Sequence, residues 1–289
     1  MTTLLKKFNR LLRFPLRRVA AVLIIFPFIL LAIPGEKSPQ AAESEADLAK
    51  KTQNPVADMI SVPFQNNFNF NYGPNNDLQY VLNLQPVIPI HLDKEWNLVT
   101  RTIIPVINQP WPESKFGLGD INATLFLSPA KLLPVAEGGL FWGVGPILQF
   151  PTATNDILGS GKWAAGPSAV VGYLGKTWVL GALANNMWSF AGEDERPYVN
   201  LMTVQPFINY NLPDAWYLSF SPIITANWSA KHSQQWTVPL GGAVGKIFRI
   251  GKLPFNAQLG AYYNVVRPDI IGPEYSIRAQ IALLLPSFK

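Results

Sequence analysis

The stretch FQNNFNFNY, Phe64 to Tyr72, decides how the rest of the chain is read. Phe64, Phe68, Phe70 and Tyr72 fall on one parity and Gln65, Asn67, Asn69 and Asn71 on the other. An extended chain therefore carries aromatics on one face and amides on the opposite face. The next segment repeats the pattern, with Leu78, Tyr80, Leu82, Leu84, Ile88 and Ile90 against Gln79, Asn83 and Gln85. Further along, Ile121, Ala123, Leu125 and Leu127 oppose Asp120, Asn122, Thr124 and Ser128. Trp216, Leu218, Phe220, Ile224 and Trp228 oppose Tyr217, Ser219, Ser221, Thr225 and Asn227. The two cleanest runs come last. Phe255, Ala257, Leu259, Ala261, Tyr263 and Val265 face away from Asn256, Gln258 and Asn264, and Tyr275, Ile277, Ala279, Ile281, Leu283 and Leu285 from Ser276, Arg278 and Gln280.

Extending this reading predicts twelve strands, near 62–72, 78–90, 96–107, 118–129, 139–151, 162–173, 177–188, 198–210, 216–229, 235–248, 253–266 and 274–285. The seventh and tenth alternate weakly. Alternation alone does not separate a soluble sandwich from a membrane barrel, which exchanges the two faces. Three features favour the barrel. The polar face is made mainly of Asn, Gln, Ser and Thr, whereas a water-facing sheet carries many Lys and Glu, and the charges concentrate in turns such as HLDKE, GEDER and RIGK. Trp96, Trp163, Trp178, Trp188, Trp216, Trp228 and Trp236 lie at or near proposed strand ends, as in an aromatic girdle. Strands of ten or more residues also suit a tilted crossing of an apolar slab about 25 Å tall. The segments YGPNND, NQPWPESKFG, PTATNDILGSG, SFAGEDERP, SAKHSQ and RPDIIG then become outer loops, and HLDKE, YLGKT and NLPDA short inner turns. Eight prolines fall inside the proposed strands: Pro86, Pro89, Pro105, Pro146, Pro167, Pro206, Pro222 and Pro239. Each removes a ladder hydrogen bond, so bulges or breaks are expected there.

Composition agrees. Of 289 residues 48% are hydrophobic and only 14% charged, low for a water-facing surface, while 12% aromatics exclude a disordered chain. The net charge of +5 comes from Lys6, Lys7, Arg10, Arg13, Arg17 and Arg18; without these six, 17 basic residues face 18 acidic ones. No basic surface for nucleic acid remains. The absence of Cys removes disulfide scaffolds, thiolate metal sites and Cys nucleophiles. Behind the basic stretch comes VAAVLIIFPFILLAI, Val19 to Ile33, closed by Pro34 and Gly35. A basic start, a short apolar run and small residues read as a secretory signal, with Ser44 and Ala46 meeting the small-residue rule for cleavage. The expected organisation is a signal over 1–42, a periplasmic linker or short helix over 43–60, and a transmembrane antiparallel β-barrel of about twelve strands over 61–289.

Several stretches carry a resemblance: QNPVADMISVPFQNNFNFNYGP, WNLVTRTIIPVINQP, GDINATLFLSPAK, WGVGPILQFPTATNDILGSGKWAAGPSAV, QPFINYNLPDAWYLSFSPIITANW and WTVPLGGAVGKIFRIGKLPFNAQLGAYYNVVRPD. Over about Gln53 to Leu285 the chain resembles the outer-membrane proteins grouped as the MetA-pathway phenol-degradation family. That resemblance implies a transporter-like barrel in a Gram-negative outer membrane, associated with aromatic solutes, and supplies no catalytic motif. Such barrels often end on an aromatic residue, whereas here Phe288 is followed by Lys289.

Chemistry is expected on the inward polar face. Asn67, Asn69, Asn83, Gln85, Asn97, Asn122, Thr203, Gln205, Asn209, Asn256, Gln258, Asn264 and Gln280 are the candidate lumen residues, with Arg101, Asp120, Lys162 and Arg278 as its few charges. An amide-lined lumen without charge rings suits passive uptake of small neutral or aromatic solutes. A barrel of this size is also readily filled by its own side chains, which leaves a non-conducting structural barrel as the alternative. Gly159, Ser160, Gly161 and Lys162 resemble part of a phosphate-binding loop, but Trp163 stands where Ser or Thr would hold magnesium. With only His91 and His232, no two-His metal site forms, and no cofactor is expected. His232 with Ser233, Ser229 and Asn227 sketches a lipid-hydrolysing rim, a lesser alternative since such a triad requires convergent geometry. A soluble exported binding protein is a further one. The expected partners are outer-membrane lipids, the barrel-assembly machinery and the solute.

Overall fold

The computed structural model describes residues 44–287; the signal expected over 1–42 and the chain end Phe288–Lys289 lie outside the described residues. A short helix, α1 (Glu45–Thr52), is followed by sixteen strand segments: β1 (Ile60–Tyr72), β2 (Asp77–Leu84), β3 (Val87–His91), β4 (Trp96–Gln109), β5 (Lys115–Leu118), β6 (Ile121–Pro129), β7 (Leu133–Val135), β8 (Gly138–Phe150), β9 (Lys162–Leu174), β10 (Trp178–Gly192), β11 (Asn200–Asn211), β12 (Trp216–Phe220), β13 (Ile224–Asn227), β14 (Trp236–Ile250), β15 (Leu253–Val266) and β16 (Tyr275–Leu285). The pairs β2–β3, β5–β6 and β12–β13 each form one wall strand with a break, and β7 only lengthens the inner hairpin before β8. The wall is therefore a twelve-strand antiparallel barrel, closed where β1 pairs β16 from Ile60–Leu285 to Phe70–Tyr275.

Closure removes every sheet edge, and the faces sort as the alternation requires. On β15, Leu259, Tyr263 and Val265 are exposed while Asn256, Tyr262 and Asn264 are buried. Large apolar side chains cover the exterior all round, among them Val144, Val171, Leu180, Ile208, Leu218, Leu240 and Ile277. In water this surface would be costly; in hydrocarbon it is the expected outer face. Aromatics ring its two margins. Trp163 packs edge-on to Phe150 and Trp228 to Trp236 at the end bearing the long loops, while Trp96 meets Trp142 and Trp178 meets Tyr210 at the other. Lys246 Nζ lies 4.8 Å from the Trp216 ring centroid at that second margin.

All eight prolines sit where the ladder is interrupted. Pro86 separates β2 from β3 and Pro222 separates β12 from β13. Pro105 lies on β4 between its pairing to β6 and its pairing to β5, and Pro206 on β11 between β13 and β12. Pairing lapses beside Pro146 on the β6 side and beside Pro167 on the β10 side, and the register shifts between Val238 and Pro239. Pro89 is on β3, which touches β1 only at Ser61–Val87. A proline lacks the N–H that a continuous ladder would need, so the wall breaks on its deficient side.

The two weakly alternating strands also have a cause. On β14 the inward positions are small because neighbouring rings cover them: a Cβ on Gly245 would stand 2.1 Å from Tyr217 Cζ. On β10 both faces are apolar, Val179 and Leu183 pointing inward, and Gly181 yields its place to the Phe207 ring.

α1 closes the inner-turn end of the barrel. Ser44 caps it, its hydroxyl accepting the Asp47 backbone N–H at 3.1 Å, with Glu45 and Asp47 in the first turn and Lys50 and Lys51 in the last, as the helix dipole favours. Eight residues are too few for a stable isolated helix. Packing supplies the rest: Leu48 and Ala49 are buried with Met59, Ala215, Ile247, Ala282 and Leu284.

Candidate functional site: the barrel lumen

The inner wall has two unlike halves. On one, Val99, Phe126, Phe141, Val170, Val179, Leu183 and Phe207 form an apolar core inside the barrel, and Val56, just beyond α1, is inserted into it. The Phe141 and Phe207 rings are stacked with centroids 6.3 Å apart. The lumen is thus not amide-lined throughout, as alternation alone had suggested. On the other half, polar side chains surround a cavity of about 170 Å³ whose floor is formed by Thr52, Gln53 and Pro55. Gln53 is held there by reciprocal amide bonds with Asn211, at 2.9 and 3.2 Å.

Of the candidate lumen residues, Arg101, Gln205, Asn209, Asn256, Gln258, Arg278 and Gln280 converge on this cavity. Arg101 Nη2 donates to Gln85 Oε1 at 2.8 Å. Arg278 Nε donates to Asn67 Oδ1 at 3.3 Å and Nη1 to the Ser221 carbonyl at 3.4 Å, with the guanidinium 4.6 Å from the Tyr262 ring centroid. Asn67 and Gln85 therefore orient the two guanidiniums. Asn83 lies opposite Gln65 in the register. Gln205 donates to Ser221 Oγ at 2.8 Å, and Asn256 accepts the Tyr217 hydroxyl at 2.8 Å.

The remaining candidates lie elsewhere. Asn69 begins an amide relay toward the outer mouth, through Gln79 at 2.8 Å and Gln109 at 2.6 Å to the Tyr72 hydroxyl at 2.7 Å. Asp120 pins the outer loop 151–161, accepting the Ser160 backbone N–H at 2.6 Å and its hydroxyl at 2.8 Å. Arg196 binds the same loop through the carbonyls of Asp156, Gly159 and Ser160. Asn122 and Lys162 stand at the foot of that loop. Asn264 donates to the Pro273 carbonyl at 2.8 Å, Thr203 lies opposite Asn185 and Thr225 in the register, and Asn97 is buried. Ser160 is therefore a loop fastener, not part of a phosphate cradle.

Sequence reasoning placed Gln65, Tyr217, Ser219 and Ser221 on the polar face without singling them out, and it gave no signal for Leu183, Phe207 or Gln53, which also line the cavity. At the inner end, Asp58 Oδ1 meets His91 Nε2 at 2.9 Å, joining the linker to β3. Burial raises the Asp58 carboxyl, but hydrogen bonds from Ser287 and His91 and the charges of His91 and Lys51 outweigh it and hold the group below its ordinary value. At the outer rim, His232 makes no hydrogen bond to Ser229, Ser233 or Asn227; Asn227 accepts the Ser229 backbone N–H instead, at 3.2 Å.

A closed antiparallel barrel with an apolar exterior, two aromatic margins, short inner turns and a polar-plus-apolar filled interior defines the class: an outer-membrane β-barrel. Within that class the fold is similar to the COG4313 outer membrane channel from Pseudomonas putida F1, at 17% identity and a TM-score of 0.59 over 86% of this chain and 99% of that one. It is also similar to the NanC porin, at 8% identity and a TM-score of 0.51 over 77% and 98%. These identities bear on the fold alone. No family model matches the chain, and no curated protein matches it.

Proposed function

We propose that this chain is an outer-membrane channel for passive uptake of small neutral or aromatic solutes, with the polar half of its lumen as the solute path and α1 with its linker as an inner stopper. The observation that carries the reading is the cavity itself, bounded by amides, hydroxyls and two arginines inside the barrel. The fold shared with a channel and a porin supports it, as does the sequence resemblance to the MetA-pathway phenol-degradation family. Membrane lipids and the barrel-assembly machinery are its proposed partners, and no catalytic step is assigned to it.

A second reading has its own support. Because Val56 and Gln53 lie inside the barrel, a permanently stoppered, non-conducting structural barrel is the competing function. Planar-bilayer recording of the refolded exported chain separates the two, with heat-modifiable gel mobility as proof of folding. Discrete current reduced by added aromatic or sugar solutes is expected; folded protein that never conducts would overturn the channel in favour of the structural barrel.

A further inference from the structure

The cavity is not electrically neutral. Arg101 and Arg278 both face it, and no Asp or Glu is among its lining residues. Among the described residues neither arginine takes part in an ion pair. Arg101 spends one N–H on Gln85 and Arg278 two on Asn67 and Ser221, all to neutral acceptors, so each planar fork keeps donors for something else. The two residues are three strand steps apart around the wall, β4 to β3 to β1 to β16, and six residues apart along it, because Arg101 is level with Val87 and Ser61 whereas Arg278 is level with Asn67; at about 4.8 Å per strand and about 3.4 Å per residue their backbones stand roughly 25 Å apart along the sheet. Both side chains line the same cavity. Two enclosed guanidiniums without a counter-charge are costly in a protein interior, and an anion between them removes that cost. A guanidinium fork matches a carboxylate geometrically as well as electrically.

The remainder of the lining specifies the rest of the ligand. Leu183 and Phe207 present an apolar wall to the same cavity, and Gln205 and Gln258 offer amide donors. The cavity, about 170 Å³ and open on one side, has room for a carboxylate on one small ring or short chain. We infer that the lumen holds a binding site for a small monocarboxylate with an apolar body, benzoate-like in size, clamped by Arg101 and Arg278 above the floor made by Thr52 and Gln53. This rests on the channel reading and sharpens it from neutral toward anionic solutes.

The test uses the full exported chain in planar bilayers under a KCl gradient, with benzoate, benzyl alcohol, benzylammonium and inorganic phosphate as probes. Expected are an anion-selective reversal potential and block by benzoate at concentrations at least tenfold below those of benzyl alcohol, with benzylammonium weakest. Arg101→Gln with Arg278→Gln should weaken benzoate block at least tenfold and leave benzyl alcohol unchanged; Lys176→Gln in an inner turn should change neither. Arg101→Lys with Arg278→Lys, less disruptive to folding, should keep anion selectivity while losing most of the benzoate preference. Equal block by benzoate and benzyl alcohol in a conducting channel, or benzoate block that survives removal of both arginines, would overturn the site and leave the channel standing. Block by phosphate in preference to benzoate would overturn the apolar body. Absence of current overturns the channel; benzoate quenching of tryptophan fluorescence in the folded detergent complex, lost in the double Gln variant, then supports the site, and no quenching overturns it.

Discussion

The inner face of β14–β15–β16–β1 and that of β8–β9–β10–β11 belong to one barrel, yet they are built from opposite materials. The first presents Asn256, Gln258, Gln65, Arg278 and Gln280 to the cavity; the second presents Phe141, Val170, Val179, Leu183 and Phe207 to one another and to Val56, and only its border on β11, through Gln205 and Asn209, adds amides to the cavity. Inward-facing does not therefore mean polar. What matters is whether a position meets water or another part of the chain: Val56 of the N-terminal segment enters the second flank, while Leu48, Ala49 and Met59 pack against Ala215, Ile247, Ala282 and Leu284 at the inner end of the first. The polar flank is left as the space where a solute can be held.

The largest expected effect tests the apolar flank. Phe141→Ala removes a ring stacked on Phe207 and should cost about 3–5 kcal/mol, read as a lower unfolding temperature of the heat-modifiable band. A loss under about 1 kcal/mol would mean that this flank is not a packed core. Next comes the contrast between faces. Leu259 is 57% exposed on the outside, so Leu259→Arg should impair assembly by about 2–4 kcal/mol, whereas Gln258→Arg, facing the cavity, should assemble nearly normally. Equal damage at both positions would break the assigned register. On the polar flank, Asn256→Ala removes one of the two side-chain partners of the buried Tyr217 hydroxyl, leaving Gln258, and should cost about 1 kcal/mol, less than Phe141→Ala.

The smallest effect concerns the linker. Because the Asp58 carboxyl is held below its ordinary value of 3.8, its contribution is full above that value and is lost as pH falls through the lowered one. Asp58 is half-exposed, so the effect should stay under about 1 kcal/mol. Acidification below pH 3.8 should raise proteolytic cleavage within 45–58 in the wild type, and Asp58→Asn should show the raised level already at neutral pH. A cleavage rate that ignores both changes would remove Asp58 as an anchor.

Most of the wall was legible because a strand that separates hydrocarbon from amides must alternate, as β15 and β16 largely do; on β1 Asn66 interrupts the aromatic parity and a register shift between Asn69 and Tyr72 buries Tyr72 against Gln109. The prolines were legible as well, since a missing N–H is a local property; what sequence does not fix is which neighbouring strand yields. Seven of the candidate lumen residues reached the cavity because parity alone puts them inside. Leu183 and Phe207 escaped notice because an apolar residue on the inward parity looks like a fault in the pattern until its partner is known. That partner, Val56, is distant in sequence and belongs to a segment without alternation. Gln53 escaped for the same reason: its pairing with Asn211 spans 158 residues.

Closure of the lumen by this segment is tested most directly by single-channel conductance of the exported chain with and without residues 44–58, both checked for folding by heat-modifiable mobility. Removing the segment withdraws Val56 from the apolar flank and Gln53 from the cavity floor, and a severalfold larger unitary current is expected. Equal currents from two folded barrels would contradict the stopper and place the constriction in the wall itself.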